Sequence, residues 1–468
     1  MIRRFVILGV LGDLAARYLL PALAELLAAG RLPEGFSITG VAREDLDTEA
    51  FRRHLEERLG RLAPGMDRAI RRALLSAMEY RKADVTGRED MIRVLGQVKE
   101  PAVIYLALPP ALFSPTVESL AAAALPAGSR IVVEKPFGED LASAQALNLL
   151  LHRTFPEEAV FRIDHFLGKQ TVHNILGLRF GNRVFEPLWN LHHVERVEII
   201  WDETLALEGR ASYYDRAGAL RDMLQNHLLQ LLCLAGMEAP RSLEDRDFRD
   251  RKVDVLRAVR RLTPGEVERW TVRGRYGAGR VGDRDIPAYA NEEGVDPGRG
   301  TETFSQVVLW IDNWRWAGVP FILRSGKALG RDRREIAVHF KPVPHPVFGQ
   351  ENAPCPNVLR LEMDPDRMAL GVNITGPGEP FALACAELKR ELAPQDLSAY
   401  AWLLLHVMEG RPELFIRGDV AEESWRIMAP ILKAWADGRP PLLEYSAGSN
   451  GPAAPSLRGP EECGSGGA

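Results

Sequence analysis

Phe5-Val6-Ile7-Leu8 is an apolar run that meets Gly9 and Gly12 directly, and Leu14 to Ala29 then carries apolar residues at helical spacing. A buried strand, a glycine turn and a helix, in that order, are the opening unit of a parallel sheet. The rhythm repeats. Phe36 to Ala42 and Val103 to Ala107 read as further strands, Ile131 to Glu134 follows a helical Val117 to Ala124, and Gly138-Glu139-Asp140 opens the next helix. Strands alternating with helices predict an α/β, Rossmann-like, doubly wound parallel sheet over residues 1–175.

Beyond about residue 175 the pattern changes. Val194 to Trp201 is a long strand, Gly218 to Leu234 a helix, and Leu243 to Leu262 another. Strand-like segments follow around 268–272, 304–310, 321–323, 336–340, 358–363 and 368–374, several alternating apolar and polar residues as a half-buried sheet does. Helices return at Asp396 to Glu409 and Val420 to Asp437. This predicts an α+β second domain over 176–445, a mostly antiparallel sheet with helices on one face. The tail 446–468 is rich in Gly, Pro, Ser and Ala and is expected to be flexible. At 468 residues the chain exceeds one ordinary core, which agrees with two domains.

A formal net charge of −5 gives no electrostatic case for nucleic acid or an anionic membrane, so any bound anion must meet a local basic pocket. No stretch approaches a membrane span. Arg3-Arg4 before Phe5 to Leu11 imitates a short signal segment, but Asp13 breaks the run and no small-residue cleavage site follows. Cys233, Cys355, Cys385 and Cys463 are scattered without CxxC or metal-ligand spacing, so no metal and no disulfide framework is expected. The expected location is cytoplasmic. Only nine of the 59 basic residues are lysine, leaving 50 arginines. A lysine here therefore flags a site wanting a compact ammonium rather than a planar fork.

Gly9-Val10-Leu11-Gly12-Asp13-Leu14 lies at the first βα turn, where glycines let the backbone approach a pyrophosphate. A GxxG alone is weak, since such glycines are often structural. At the end of the second strand stands Arg43, which suits the 2′-phosphate of NADP; Glu44 and Asp45 follow it and leave NAD open. In an arginine-rich chain the bland reading of Arg43 is a solvated charge.

Four further segments are expected to converge where the domains meet: Glu134 to Gly138, Arg162 to Lys169, Arg221 to His227, and Arg324 to Lys327. Three of the nine lysines, Lys135, Lys169 and Lys327, fall within them. Each alone reads as a solvated charge, and His227 alone as a hydrogen-bonded core histidine. Together after strand ends they suit oxidation of a secondary alcohol or hemiacetal, with His227 as base and Asp164 fixing its tautomer. His165 and Lys169 would hold a substrate phosphate through charge-assisted hydrogen bonds.

Arg162-Ile163-Asp164-His165-Phe166-Leu167-Gly168-Lys169 resembles the signature of glucose-6-phosphate dehydrogenases, in which the fifth residue is usually tyrosine. The resemblance extends in order through Gly12 to Ala15, Glu134 to Gly138, Glu208 to Arg210, Arg221-Asp222 with Gln225 to Leu228, Thr301 to Phe304, Asn313 to Phe321, Gly326-Lys327, Trp425-Arg426 and Ala447 to Ser449. It implies oxidation of the C1 hydroxyl of glucose 6-phosphate to 6-phosphogluconolactone, the first step of the oxidative pentose phosphate pathway. NADP, or alternatively NAD, would be reduced by a homodimer or homotetramer. It implies His227 as proton acceptor with Asp164. Lys135, His165, Lys169, Glu203, Asp222 and Lys327 would bind the substrate. Gly9, Gly12, Asp13, Leu14, Arg43, Asp84, Val85 and Lys135 would bind the cofactor, with a cis bond after Lys135.

The departures from that pattern thin the rim around both phosphates. Phe166 lacks the tyrosine hydroxyl, Leu11 replaces a hydroxyl residue, Tyr18 replaces a lysine, and Asp332 stands where a basic residue is common. Two alternatives therefore stay open: a dehydrogenase of another sugar or sugar phosphate, and a non-catalytic nucleotide-binding relative.

Overall fold

The computed structural model describes residues 1–349 and 353–453. They divide into two compact units, Met1–His173 with Glu238–Val253 and Pro394–Trp425, and Asn174–Met237 with the described residues of 254–393 and 426–453.

In the first unit β1 (Arg4–Leu8), β2 (Ser37–Ala42), β3 (Met78–Lys82), β4 (Ala102–Leu106), β5 (Arg130–Glu134) and β6 (Val160–Ile163) form one sheet, ordered β3-β2-β1-β4-β5-β6. Every ladder is parallel. The order reverses between β1 and β4, the switch point where doubly wound sheets open a crevice at the carboxyl ends of their strands. β4 is buried along its whole length, as a continuous apolar run in a helix-covered sheet must be.

The helix Ala399–Glu409 belongs to this unit, although a linear division at 175 puts it in the second domain. Its composition explains why. Ala401, Leu403, Leu404, Leu405, Val407 and Met408 are all buried, and a helix apolar on nearly every side needs a core around it. Arg130 donates to Val407 O and Met408 O at 2.6 and 2.8 Å, tying the helix end to β5. A Cβ on Gly168 would stand 2.4 Å from Ala399 O, so only glycine allows the close approach there.

The second unit holds β7 (Val194–Asp202), β8 (Thr271–Gly277), β9 (Gly279–Val281), β10 (Arg284–Ile286), β11 (Phe304–Trp310), β12 (Pro320–Gly326), β13 (Arg333–Phe340), β14 (Val358–Glu362), β15 (Arg367–Thr375), β16 (Leu383–Glu391) and β17 (Leu443–Ser446). β9 and β10 make a small ribbon. The rest form one nine-stranded sheet, ordered β16-β15-β14-β13-β7-β12-β11-β8-β17. It is antiparallel except at β7–β12 and β8–β17.

Two expectations change here. The segment from 446 is anchored at its start: Ala447 is buried, Gly448 N–H donates to Ala328 O (2.8 Å), and Gly330 N–H donates to Ser449 O (2.8 Å). Residues 454–468 of that expected flexible tail lie outside the described residues. Cys355 and Cys385 stand as a disulfide pair with Cα atoms 6.0 Å apart, although their spacing in the chain gave no sign of it. Sheet register brings them together. Asn373 pairs with Cys385 across β15–β16, accepts from Cys355 N–H (2.8 Å) and donates to Cys355 O (3.0 Å).

Candidate active site

Gly9 leaves β1 with φ +86°, and a Cβ there would lie 2.4 Å from Ala107 O at the end of neighbouring β4. Gly9 N–H donates to Val41 O (2.8 Å) and Gly12 N–H to Gly9 O (2.9 Å), which fixes the turn before the helical segment Ala15–Leu19. The bare backbone is the surface a pyrophosphate needs, so these residues fit a dinucleotide. Asp13 pairs with Arg58 at 2.7 Å, and the same guanidinium donates to Leu11 O. Arg58 clasps the turn from Thr48–Leu62, a helix whose sequence gives no motif, and sequence reasoning missed it.

Arg43, one residue past β2, is exposed, and its guanidinium has no hydrogen-bond partner among the described residues. Asp84 accepts from Thr86 N–H (3.0 Å) and Thr86 hydroxyl (2.7 Å), bonds that hold its carboxyl below the usual range. Its carboxylate thus shapes the turn after β3, while Val85 is buried. Leu14 is half-buried against the first unit's core.

Parallel strands end together, so β5 and β6 deliver Lys135 and Asp164 to one sheet edge, with Glu134 opposite Ile163. The Lys135-Pro136 bond is cis. Asp164 is 1% exposed and accepts from Phe166 N–H at 2.9 Å, capping the turn His165–Gly168. Beside it lies a cluster that the sequence did not reveal. Glu134 is buried and accepts from the Tyr105 hydroxyl and from the Tyr400 hydroxyl (3.3 Å). Burial pushes its carboxyl up to about 7, against the stabilising hydroxyls and Lys135. Tyr400 stacks on His165 (5.9 Å between centroids) and on Tyr18 (5.3 Å), so three rings form a ladder.

Phe166 is buried, and the Lys169 ammonium lies 4.9 Å from its ring centroid, a cation–π contact. Arg162 serves the fold instead of a ligand. Fully buried, it donates to Glu157 and Asn148, each at 2.8 Å.

In the second unit β7 and β12 are parallel, with Asp202 opposite Gly326. The next residues, Glu203 and Lys327, therefore emerge side by side. Glu203 N–H donates to Gly326 O (2.8 Å), and Lys327 Nζ meets Glu203 Oε2 at 2.6 Å. Lys327 also lies 5.2 Å over the Tyr214 ring. Asp332 accepts from Thr204 N–H at 2.8 Å and so fixes the residue after Glu203.

Asp222 and His227 share the segment Leu220–Leu228, which is π-helical. In an α-helix residues five apart point about 140° away from each other. The i→i+5 bonding of a π-helix brings them toward one face, and such segments concentrate at functional sites. His227 is 1% exposed, and its backbone N–H donates to Asn226 Oδ1 (2.6 Å). Asp222 accepts from the Tyr213 hydroxyl at 3.3 Å.

A glycine turn at the switch point of a parallel sheet, with lysine, histidine and carboxylate groups after strand ends, defines an oxidoreductase of the nicotinamide-dinucleotide class. Comparison with known proteins narrows the class. Residues 6–174 match the family model of the glucose-6-phosphate dehydrogenase NAD binding domain, and residues 176–457 match that of its C-terminal domain. A glucose-6-phosphate 1-dehydrogenase of Mycolicibacterium smegmatis is 43% identical, covering 96% of this chain and 94% of that protein. One of Bacillus subtilis is 38% identical with the same coverage. A solved glucose-6-phosphate dehydrogenase in complex with its substrate glucose-6-phosphate superposes with a TM-score of 0.87 at 32% identity, over 96% of this chain and 95% of that one. The chain belongs to the glucose-6-phosphate dehydrogenase family.

Proposed function

We propose that this chain oxidises the C1 hydroxyl of D-glucose 6-phosphate to 6-phospho-D-glucono-1,5-lactone, with NADP as acceptor. The observation that carries this reading is the family match over nearly the whole chain, with the residues its chemistry requires retained in sequence. Bound nicotinamide dinucleotide supplies the hydride acceptor. Gly9, Gly12, Asp13 and Leu14 hold its pyrophosphate turn, Arg43 its 2′-phosphate, and Asp84 and Val85 its adenosine side. Lys135 lies near the reacting end.

In this reading His227 takes the C1 hydroxyl proton as the C1 hydride departs, and the C1–O bond becomes the lactone carbonyl. Asp164 fixes the imidazole tautomer and stabilises the imidazolium. His165 and Lys169 hold the phosphate, and Lys135, Glu203, Asp222 and Lys327 hold the sugar. The Glu203–Lys327 pair supports this, because it keeps an acceptor and a donor together at one strand edge. Among the described residues no helix is long and apolar enough to cross a membrane. The resemblance implies a homodimer or homotetramer, and the cytoplasm is the location expected from the sequence.

An absorbance assay of nicotinamide reduction tests the reading, with glucose 6-phosphate compared against a panel of sugars and sugar phosphates in NADP and in NAD. The expected result is the highest kcat/KM for glucose 6-phosphate with NADP. A different sugar outperforming it would overturn the substrate assignment.

A further inference from the structure

The second unit contains a cavity of about 310 Å³ that the reaction does not use. It is lined by Arg216, Arg221, Arg273, Arg299, Glu302 and Trp435, among others. Two of the guanidiniums are committed. Arg273 donates to Trp435 O (2.7 Å) and Pro440 O (2.8 Å), and Arg299 pairs with Asp215 at 3.3 Å. Arg216 and Arg221 are exposed, and neither guanidinium has a hydrogen bond or ion pair among the described residues.

Four arginines line the cavity against two acids, Asp215 and Glu302. Asp215 already accepts from the Tyr289 hydroxyl (2.9 Å) and Asp296 N–H (3.1 Å), besides pairing with Arg299. Glu302 accepts from Leu220 N–H at 3.0 Å; burial raises its carboxyl, against the Leu220 N–H and the nearby Arg221 and Arg273 guanidiniums. The cavity is thus concave, framed by fixed groups, with two guanidiniums that make no hydrogen bond or ion pair among the described residues. Planar guanidiniums match phosphate oxygens bidentately. Its volume is near the lower end of ligand pockets, which suits a small occupant.

We infer that this cavity is a second anion site, binding a small oligophosphate through Arg216 and Arg221. Neither Arg216 nor Arg221 is among the residues assigned to the cofactor or the sugar phosphate, although Arg221 adjoins Asp222 in the chain. The test is calorimetric titration of the full chain with inorganic pyrophosphate, at low salt and with saturating glucose 6-phosphate present. Arg216→Gln removes one fork from an exposed position, and Ala436→Glu places a carboxylate at the exposed rim. The expected result is one pyrophosphate per chain, bound about tenfold or more weaker by each variant, the scale of a lost charge-assisted bond. Turnover without pyrophosphate should be unchanged in both. Equal affinity in wild type and both variants, or no saturable binding to the wild type, would overturn the site.

Discussion

Glu134 holds a carboxyl at about 7, raised by burial, while the hydroxyls of Tyr105 and Tyr400 point at it. Because its folded value lies above the ordinary 4.5, the native state binds the extra proton. The stabilisation is complete below about pH 4.5 and is lost as pH rises through about 7, a swing of about 3 kcal/mol at most. Glu134→Gln should therefore flatten the fall in stability across that window, measured by urea unfolding at several pH values. An unchanged slope would contradict the buried, proton-holding role. Phe166→Tyr should keep the contact with the Lys169 ammonium and add a donor, lowering the KM for glucose 6-phosphate about fivefold, worth about 1 kcal/mol. An unchanged KM in steady-state assays would show that the hydroxyl has no place there. Lys135 and Asp164 were legible as candidates because charged residues directly after apolar strands are conspicuous, and His227 because it stands with Asp222 in one short polar run of a helix. The Glu134–Tyr400 contact was not, since the two residues lie 266 positions apart and nothing around Tyr400 marks it as a partner.

Strand and turn chemistry positions the proposed cofactor residues. The backbone at Gly9 has φ +86°, and a side chain there would collide with Ala107 O at 2.4 Å. Gly9→Ala should cost more than about 1 kcal/mol of stability and weaken NADP binding at least tenfold by fluorescence titration. Native stability and affinity in that variant would refute the turn's role. The first strand, its glycines and the following helix could be read in the sequence because an apolar run and a turn residue are both local signals. The π-helical segment Leu220–Leu228 could not, because its apolar pattern equally suits an α-helix. Nor could the parallel β7–β12 pairing that sets Glu203 beside Lys327, which depends on strands 118 or more residues apart in the chain.

At the scale of the whole molecule, the order of a doubly wound sheet followed by a larger mixed sheet followed from the βαβ rhythm and its later loss. The return of 394–425 to the first unit did not. A helix pattern reports that a face is buried, not which core buries it. The departures Phe166, Tyr18 and Asp332 illustrate the same limit: as letters they looked like losses, yet each has a partner in Lys169, Tyr400 and Thr204. These elements fit a glucose 6-phosphate dehydrogenase whose proposed proton acceptor is His227. The decisive measurement is nicotinamide reduction with glucose 6-phosphate, followed by the absorbance of the reduced ring, in wild type and His227→Asn. The wild type should turn over with NADP, and the variant should show a kcat lower by about 10²- to 10⁴-fold with substrate affinity retained. No turnover by the wild type with either NADP or NAD, or full activity in His227→Asn, would contradict it.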